Sequence, residues 1–107
     1  MVCIVIAKFT GKDGAGPALL ECLSEMVPET RKKEGAISID ICVDQDNSDR
    51  IVLVEPWDSR SHHERYVAYR QERGDIDKIM TMLYGPPPIY MVRFNGCLNK
   101  TKKEKFK

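Results

Sequence analysis

The chain has 107 residues, enough for one domain with a thin core of its own. Its 42% hydrophobic and 31% charged residues describe an ordinary soluble globular sequence and exclude a low-complexity one. The net charge of +1 is uneven: residues 100–107 hold five of the 17 basic and one of the 16 acidic side chains, leaving 12 against 15, a net of −3. A mildly acidic body argues against a nucleic-acid surface, and the lysine-rich end reads as a solvated, disordered tail.

Val2 to Phe9 is apolar on both alternating faces, with Val2, Ile4 and Ile6 on one and Cys3, Val5, Ala7 and Phe9 on the other. Such a strand needs cover on both sides, which places it centrally in a sheet. Gly11, Gly14 and Gly16 loosen the next turn, and Pro17 suits the first turn of a helix. Leu19, Leu23, Met26, Val27 and Thr30 then recur at helical spacing as one stripe. Pro28 inside that stripe predicts a kink or a restart, and Gly35 closes the helix after a cationic run.

Ala36 to Val43 alternates, with Ile37, Ile39, Ile41 and Val43 on one face, and predicts a half-buried strand. Asp44 to Asp49 is a turn, and Ile51 to Trp57 returns as the hairpin partner. Pro56 cannot donate to a ladder, so pairing is expected to fail at that end. Asp58 or Ser59 caps a second helix that runs to about Arg73 and stops at Gly74. A short helix over Ile76 to Tyr84, the breaker Gly85 to Pro88 and a last strand from Ile89 to Phe94 follow. The domain thus spans residues 1–95, and 96–107 form the tail.

The order β-α-β-β-α-β predicts a ferredoxin-like α+β fold, a four-stranded antiparallel sheet with both helices on one face. The second apolar face of the first strand then lacks cover, and another copy of the same sheet is its simplest cover. A homodimer is the expectation from burial alone.

The richest chemistry lies in Ile51 to Arg73. Glu55 and Trp57 are two apart on a strand and share a face, as pocket-lining residues do. On the second helix Tyr66, Tyr69 or Arg70, and Arg73 fall on one side at i, i+3/i+4 and i+7. Trp57, Tyr66 and Arg73 are therefore expected to border one cavity, with Glu55 orienting the arginine or a substrate hydroxyl. The arginines and tyrosines would hold an anionic substrate, and His62, His63 or Glu55 would serve as base. Adjacent histidines diverge by about 100° on a helix, so only one of the pair can line that cavity. The competing reading buries Trp57 as core and leaves the arginines in solvent.

Four stretches taken in order over residues 1–94 carry a resemblance: VCIVIAKFTGKDG, VPETRKKEGAISIDI, IVLVEPWDS and LYGPPPIYMVRF. Together they resemble the antibiotic biosynthesis monooxygenase family of dimeric α/β-barrel proteins. The resemblance implies the fold derived above and a cofactor-independent oxygenase that oxidises a small phenolic or quinol-like molecule with dioxygen. Relatives that bind or isomerise small metabolites keep a non-catalytic binder or an isomerase open as the alternative. Many members carry a histidine nine residues after the tryptophan; Tyr66 stands there. The haem-degrading branch pairs an asparagine in the first strand with a histidine on the second helix. Here Ala7 or Lys8 and Tyr66 or Val67 take those places, which disfavours haem degradation.

Cys3, Cys22, Cys42 and Cys97 are scattered with no CxxC pair, so no cysteine metal site is expected and the thiols read as reduced. Asp44, Asp46, Ser48 and Glu55 fit calcium-loop spacing, but Asp49 occupies the position that requires glycine. VCIVIA is too short and lacks the basic flank of a secretory leader, and no stretch is long enough to span a membrane. Asn99-Lys100-Thr101 matches a glycosylation acceptor, which a cytoplasmic chain does not use. A cytoplasmic protein with a small-molecule partner is expected, without nucleic acid or membrane.

Overall fold

In the computed structural model, which describes residues 1–96, the doubly apolar first segment is strand β1 (Cys3–Thr10). It is central, pairing with β3 (Arg50–Trp57) on one side and β4 (Ile89–Val92) on the other. Strand β2 (Asp40–Val43) adds to the outer edge of β3, giving a four-stranded antiparallel sheet of order β2-β3-β1-β4. The fold is ferredoxin-like, as the element order required. Cys97 and the lysine-rich tail, together with the glycosylation acceptor, lie outside the described residues.

The inward face of the sheet is set by strict alternation. Cys3, Val5, Ala7 and Phe9 of β1 and Ile51, Leu53, Glu55 and Trp57 of β3 are all buried beneath the helices. Leu19 and Leu23 of helix α1 (Gly16–Arg31) close over Ala7, Phe9, Ile51 and Leu53, with Ile79 and Leu83 completing that cluster. Cys3, Val5 and Trp57 form a second, smaller cluster at the other end of the strands. Its position matters because the second helix crosses there.

Helix α1 starts without a side-chain cap of its own at Ala15. The carboxylate of Asp49 supplies one from the β2–β3 turn, accepting from Gly16 N at 2.7 Å and Gly14 N at 3.0 Å. A negative group at a helix N-terminus answers both the unpaired amides and the helix dipole. Gly16 is needed for this approach, since a Cβ there would collide with the Ser48 carbonyl. The helix runs through Pro28 without a break and ends at Arg31, four residues before Gly35. Gly35, at φ +88°, instead lets the chain turn beneath the His62 ring, where any Cβ would clash.

Strand β2 is shorter and more exposed than its alternation predicts. Only Asp40 to Val43 pair regularly, and Ile37 is 51% exposed. Pro56 explains the shortening: its neighbour across the ladder is reached only through its carbonyl, which accepts from Ile37 N at 3.0 Å. Helix α2 (Arg60–Arg73) is capped by the Ser59 hydroxyl, which accepts from His62 N at 3.2 Å, and is stopped by Gly74 in the left-handed conformation. A short helix α3 (Asp75–Met80) follows directly, ending earlier than the sequence pattern suggests.

Candidate functional site

The larger part of the site comes from α2, which has almost no apolar stripe. Its inward residues are His63, Tyr66, Val67 and Arg70, and two of these, His63 and Arg70, are buried. Between α2, α3, α1 and the sheet lies a cavity of about 180 Å³. Its wall is mostly aliphatic and aromatic, including Val5, Phe9, Leu53 and Met80, and Glu55, His63, Tyr66 and Arg70 bring in the polar groups.

Glu55 points inward because its strand position alternates with Leu53 and Trp57. Its Oε1 accepts from the Trp57 indole Nε1–H at 3.0 Å, while Oε2 has no protein partner among the described residues. Burial pushes the Glu55 carboxyl above the usual carboxylate range, and the indole bond only partly opposes this. His63 stands with its ring edge toward Trp57, the centroids 5.6 Å apart and the planes at 65°. Its Nδ1 is buried and has no hydrogen-bond partner in the described residues. Burial lowers the imidazole pKa against a small upward pull from Glu64, so the ring is neutral at pH 7.

Tyr66 stacks at a tilt on Trp57, centroids 5.1 Å apart, and its hydroxyl lies 2.6 Å from Thr30 Oγ1. Thr30 spends its own proton on the Met26 carbonyl at 2.9 Å, so the tyrosine proton points to Thr30. Burial raises the Tyr66 pKa, with the Thr30 and Arg70 bonds opposing, and the phenol stays protonated at neutral pH. Arg70 then accounts for all five of its N–H donors. Nε donates to Tyr66 at 2.9 Å, one terminal nitrogen to Glu29 and Asp75 at 2.9 and 2.8 Å, and the other to Met26 O and Thr30 Oγ1 at 3.2 and 3.3 Å. Burial works against its charge, yet the bonds to Tyr66 and Asp75 leave the net shift upward. Arg70 is a brace that fixes Tyr66, with no donor left over for a ligand.

Three expected residues stand elsewhere. Arg73 does not reach the cavity: its side chain is 52% exposed and its Nε binds Asp75 at 3.2 Å. Counting about 100° per residue from His63, Arg70 returns to within about 20° of it, whereas Arg73 is displaced by about 80° at the helix end. His62 faces the opposite turn, with Nδ1 2.6 Å from Ser59 Oγ and Nε2 3.4 Å from Glu34. Trp57 is 1% exposed and sits behind the wall, buttressing Glu55, His63 and Tyr66 without lining the cavity. The sequence reading missed the pairing of Thr30 with Tyr66, although Thr30 sits on the apolar stripe of α1 where a hydroxyl requires a partner.

The burial of Glu55 has a measurable consequence. Its folded-state pKa is raised, so folding favours the protonated form and stability is lost as pH climbs above the unfolded value of 4.5. Glu55→Gln, which imitates the protonated side chain, is expected to melt higher than wild type at pH 7 and level with it near pH 4. Thermal unfolding at the two pH values checks this; an equal or lower melting temperature at pH 7 would contradict it.

The model of the family described as antibiotic biosynthesis monooxygenase matches residues 2–71, from the first residues before β1 to the Arg70 brace. The chain belongs to this family. Solved structures agree on the fold of the antibiotic biosynthesis monooxygenases. A Mycobacterium tuberculosis protein is 22% identical, with a TM-score of 0.80 over 92% of this chain and 100% of its own. An antibiotic biosynthesis monooxygenase from Nitrosomonas europaea, so described provisionally, is 16% identical, with a TM-score of 0.80 over 88% and 90%. SnoaB, a cofactor-independent oxygenase from Streptomyces nogalater solved as a mutant, is 11% identical, with a TM-score of 0.78 over 91% and 96%. None of the curated proteins matches.

Among the described residues no three His, Cys, Asp or Glu side chains gather to hold a metal ion. Cys3, Cys22 and Cys42 are free thiols. No described helix is long and apolar enough to cross a membrane.

Proposed function

We propose that this protein is a cofactor-independent monooxygenase acting on a small phenolic or quinol-like molecule with dioxygen. One observation carries the reading: an apolar cavity lined by Glu55 and His63, whose Oε2 and Nδ1 have no partner among the described residues. Buried polar groups are almost always paired, so such groups facing a cavity suit a ligand that supplies the missing bonds. A phenol hydroxyl can donate to one and lose its proton to it. The phenolate is then electron-rich enough to reduce dioxygen itself. One oxygen atom bonds to a hydrogen-bearing ring carbon ortho or para to the hydroxyl; the other leaves as water with the phenolic hydrogen and the hydrogen of that carbon. The product is a quinone, the substrate has supplied all four electrons, and no separate reductant enters. The mostly apolar wall lowers the local dielectric and so strengthens the bonds that hold the phenolate.

A non-catalytic binder, or an isomerase, is favoured by a different observation. Arg70, the one cation on the described cavity wall, has all its donors engaged, which leaves none for charge passed to oxygen. Oxygen uptake with a panel of monophenols and hydroquinones, with labelled dioxygen traced into the quinone, separates the two. Uptake above the enzyme-free rate and one labelled atom per quinone support the oxygenase. Saturable binding without uptake would replace it with the binder.

We infer that the protein works as a homodimer. The outer face of the sheet carries Ile4 and Ile6 beside Val52, Val54, Tyr90 and Val92, an apolar surface across β1, β3 and β4 interrupted by Lys8, whose ammonium lies over the Tyr90 ring. Monomers rarely leave so large a patch open. Sedimentation at micromolar concentration should give a species of about 24 kDa, twice the 12.2 kDa chain. Ile6→Lys, on the outer face and remote from the cavity, should halve that mass. A 12.2 kDa wild-type species would sink the idea.

A further inference from the structure

The cavity's size and its inventory of unpaired groups restrict what can enter it, beyond the reaction proposed above. We propose that the site takes a molecule with a single six-membered ring, at least one hydroxyl and no anionic substituent, and rejects fused-ring, carboxylated and phosphorylated analogues. The inference rests on the oxygenase reading only for what happens after binding; the selection itself follows from volume and charge.

Volume is the first restriction. The cavity measures about 180 Å³. Sites for drug-sized ligands run to roughly 300–1,000 Å³, while an apolar cavity of about 150 Å³ accepts benzene. A second fused ring would either press on Phe9, Leu53 and Met80, held against their neighbours in the core beneath α1 and α3, or leave part of its apolar surface in water at the mouth by Pro87 and Ile89. Overpacking of that kind is costly because close-packed side chains have no empty space to move into.

Charge is the second restriction. A carboxylate or phosphate in this cavity would need a cationic or N–H donor. Arg70 is the cation at hand, and Tyr66, Glu29, Asp75, Met26 and Thr30 consume every one of its N–H groups. His63 is neutral and can give one N–H at most, and Glu55 adds a carboxyl that repels an anion whenever it is ionised. What the site does offer is acceptor capacity at Glu55 Oε2 and one ring nitrogen of His63. A neutral hydroxyl is the group that matches it.

Anaerobic titration calorimetry on the 107-residue chain tests the proposal without turnover. The probes are methylhydroquinone, 1,4-dihydroxynaphthalene and 4-hydroxybenzoate. Methylhydroquinone is expected to bind saturably, and the other two at least about tenfold more weakly, or about 1.4 kcal/mol. Glu55→Gln and His63→Phe should each weaken methylhydroquinone, while Met80→Ala, which opens the wall, should bring the naphthalene diol close to it. Circular dichroism confirms that each variant is folded. Equal or tighter wild-type binding of the fused-ring or the carboxylated probe overturns the proposal, as does failure of methylhydroquinone to bind. Methylhydroquinone binding without oxygen uptake in air supports this selection while removing the oxygenase reading. Oxygen uptake confined to the fused-ring diol does the reverse.

Discussion

Glu55→Gln and His63→Phe are each expected to lower the rate of oxygen uptake by about 10²–10⁴-fold, the contribution of a positioned proton acceptor. Both side chains line the cavity with bonding capacity unused among the described residues. Glutamine keeps the shape of Glu55 and can still accept from the Trp57 indole, so the change removes a proton acceptor while leaving the wall in place. Phenylalanine retains the edge contact of His63 with Trp57. The pH profiles of the two variants separate the roles. A base must be unprotonated, and the Glu55 pKa is raised above 4.5, so activity through Glu55 rises with pH over a limb above the ordinary carboxylate range. His63 is lowered from 6.5, so its limb lies below that value. The variant that abolishes the limb identifies the base. Rates within about twofold of wild type for both variants would remove these residues from the chemistry.

Arg70→Met is expected to lower the melting temperature by more than about 10 °C. Breaking a buried ion pair by deleting one partner costs roughly 3–5 kcal/mol, and a domain of this size loses about 4–8 °C per kcal/mol. Here the lower end applies, near 3 kcal/mol. The Glu29 and Asp75 side chains are 42% and 24% exposed, so water takes over part of what the guanidinium gave them. The deeper loss is Tyr66, whose hydroxyl keeps Thr30 but loses the Nε–H that fixes its ring on the cavity wall. Arg70→Lys is expected to recover little, because an ammonium cannot reach five acceptors with a planar fork. Thermal unfolding measures both variants. A drop below about 4 °C for methionine, roughly 1 kcal/mol, would show that the brace contributes little.

The sequence was legible wherever a local rule decided the outcome. Alternation in β3 put Leu53 and Glu55 on the face of Trp57, and Asp58 or Ser59 and Gly74 bounded α2 because cap and stop are encoded within one turn of the residues they act on, whereas β1, apolar on both sides, left open which face the helices cover. The ferredoxin-like order followed from these local signals, the family from the resemblance of four ordered stretches, and Glu55 and Tyr66 were both visible as site candidates. Tertiary structure decided the rest. Helix α2 reads RSHHERYVAYRQER, with too few aliphatic side chains to fix its rotation. Its phase is instead set by Glu29, Thr30 and Met26 of α1, some 40 residues away, which capture Arg70 and with it turn His63 inward and leave Arg73 and His62 outside. Trp57 went behind the wall for the same reason: the indole is covered by whichever helical residues are turned onto it. Asp49 capping α1 from 33 residues away is a third case. Periodicity constrains a residue only relative to its neighbours on one element. Which elements supply its hydrogen-bond partners is a property of the packed chain.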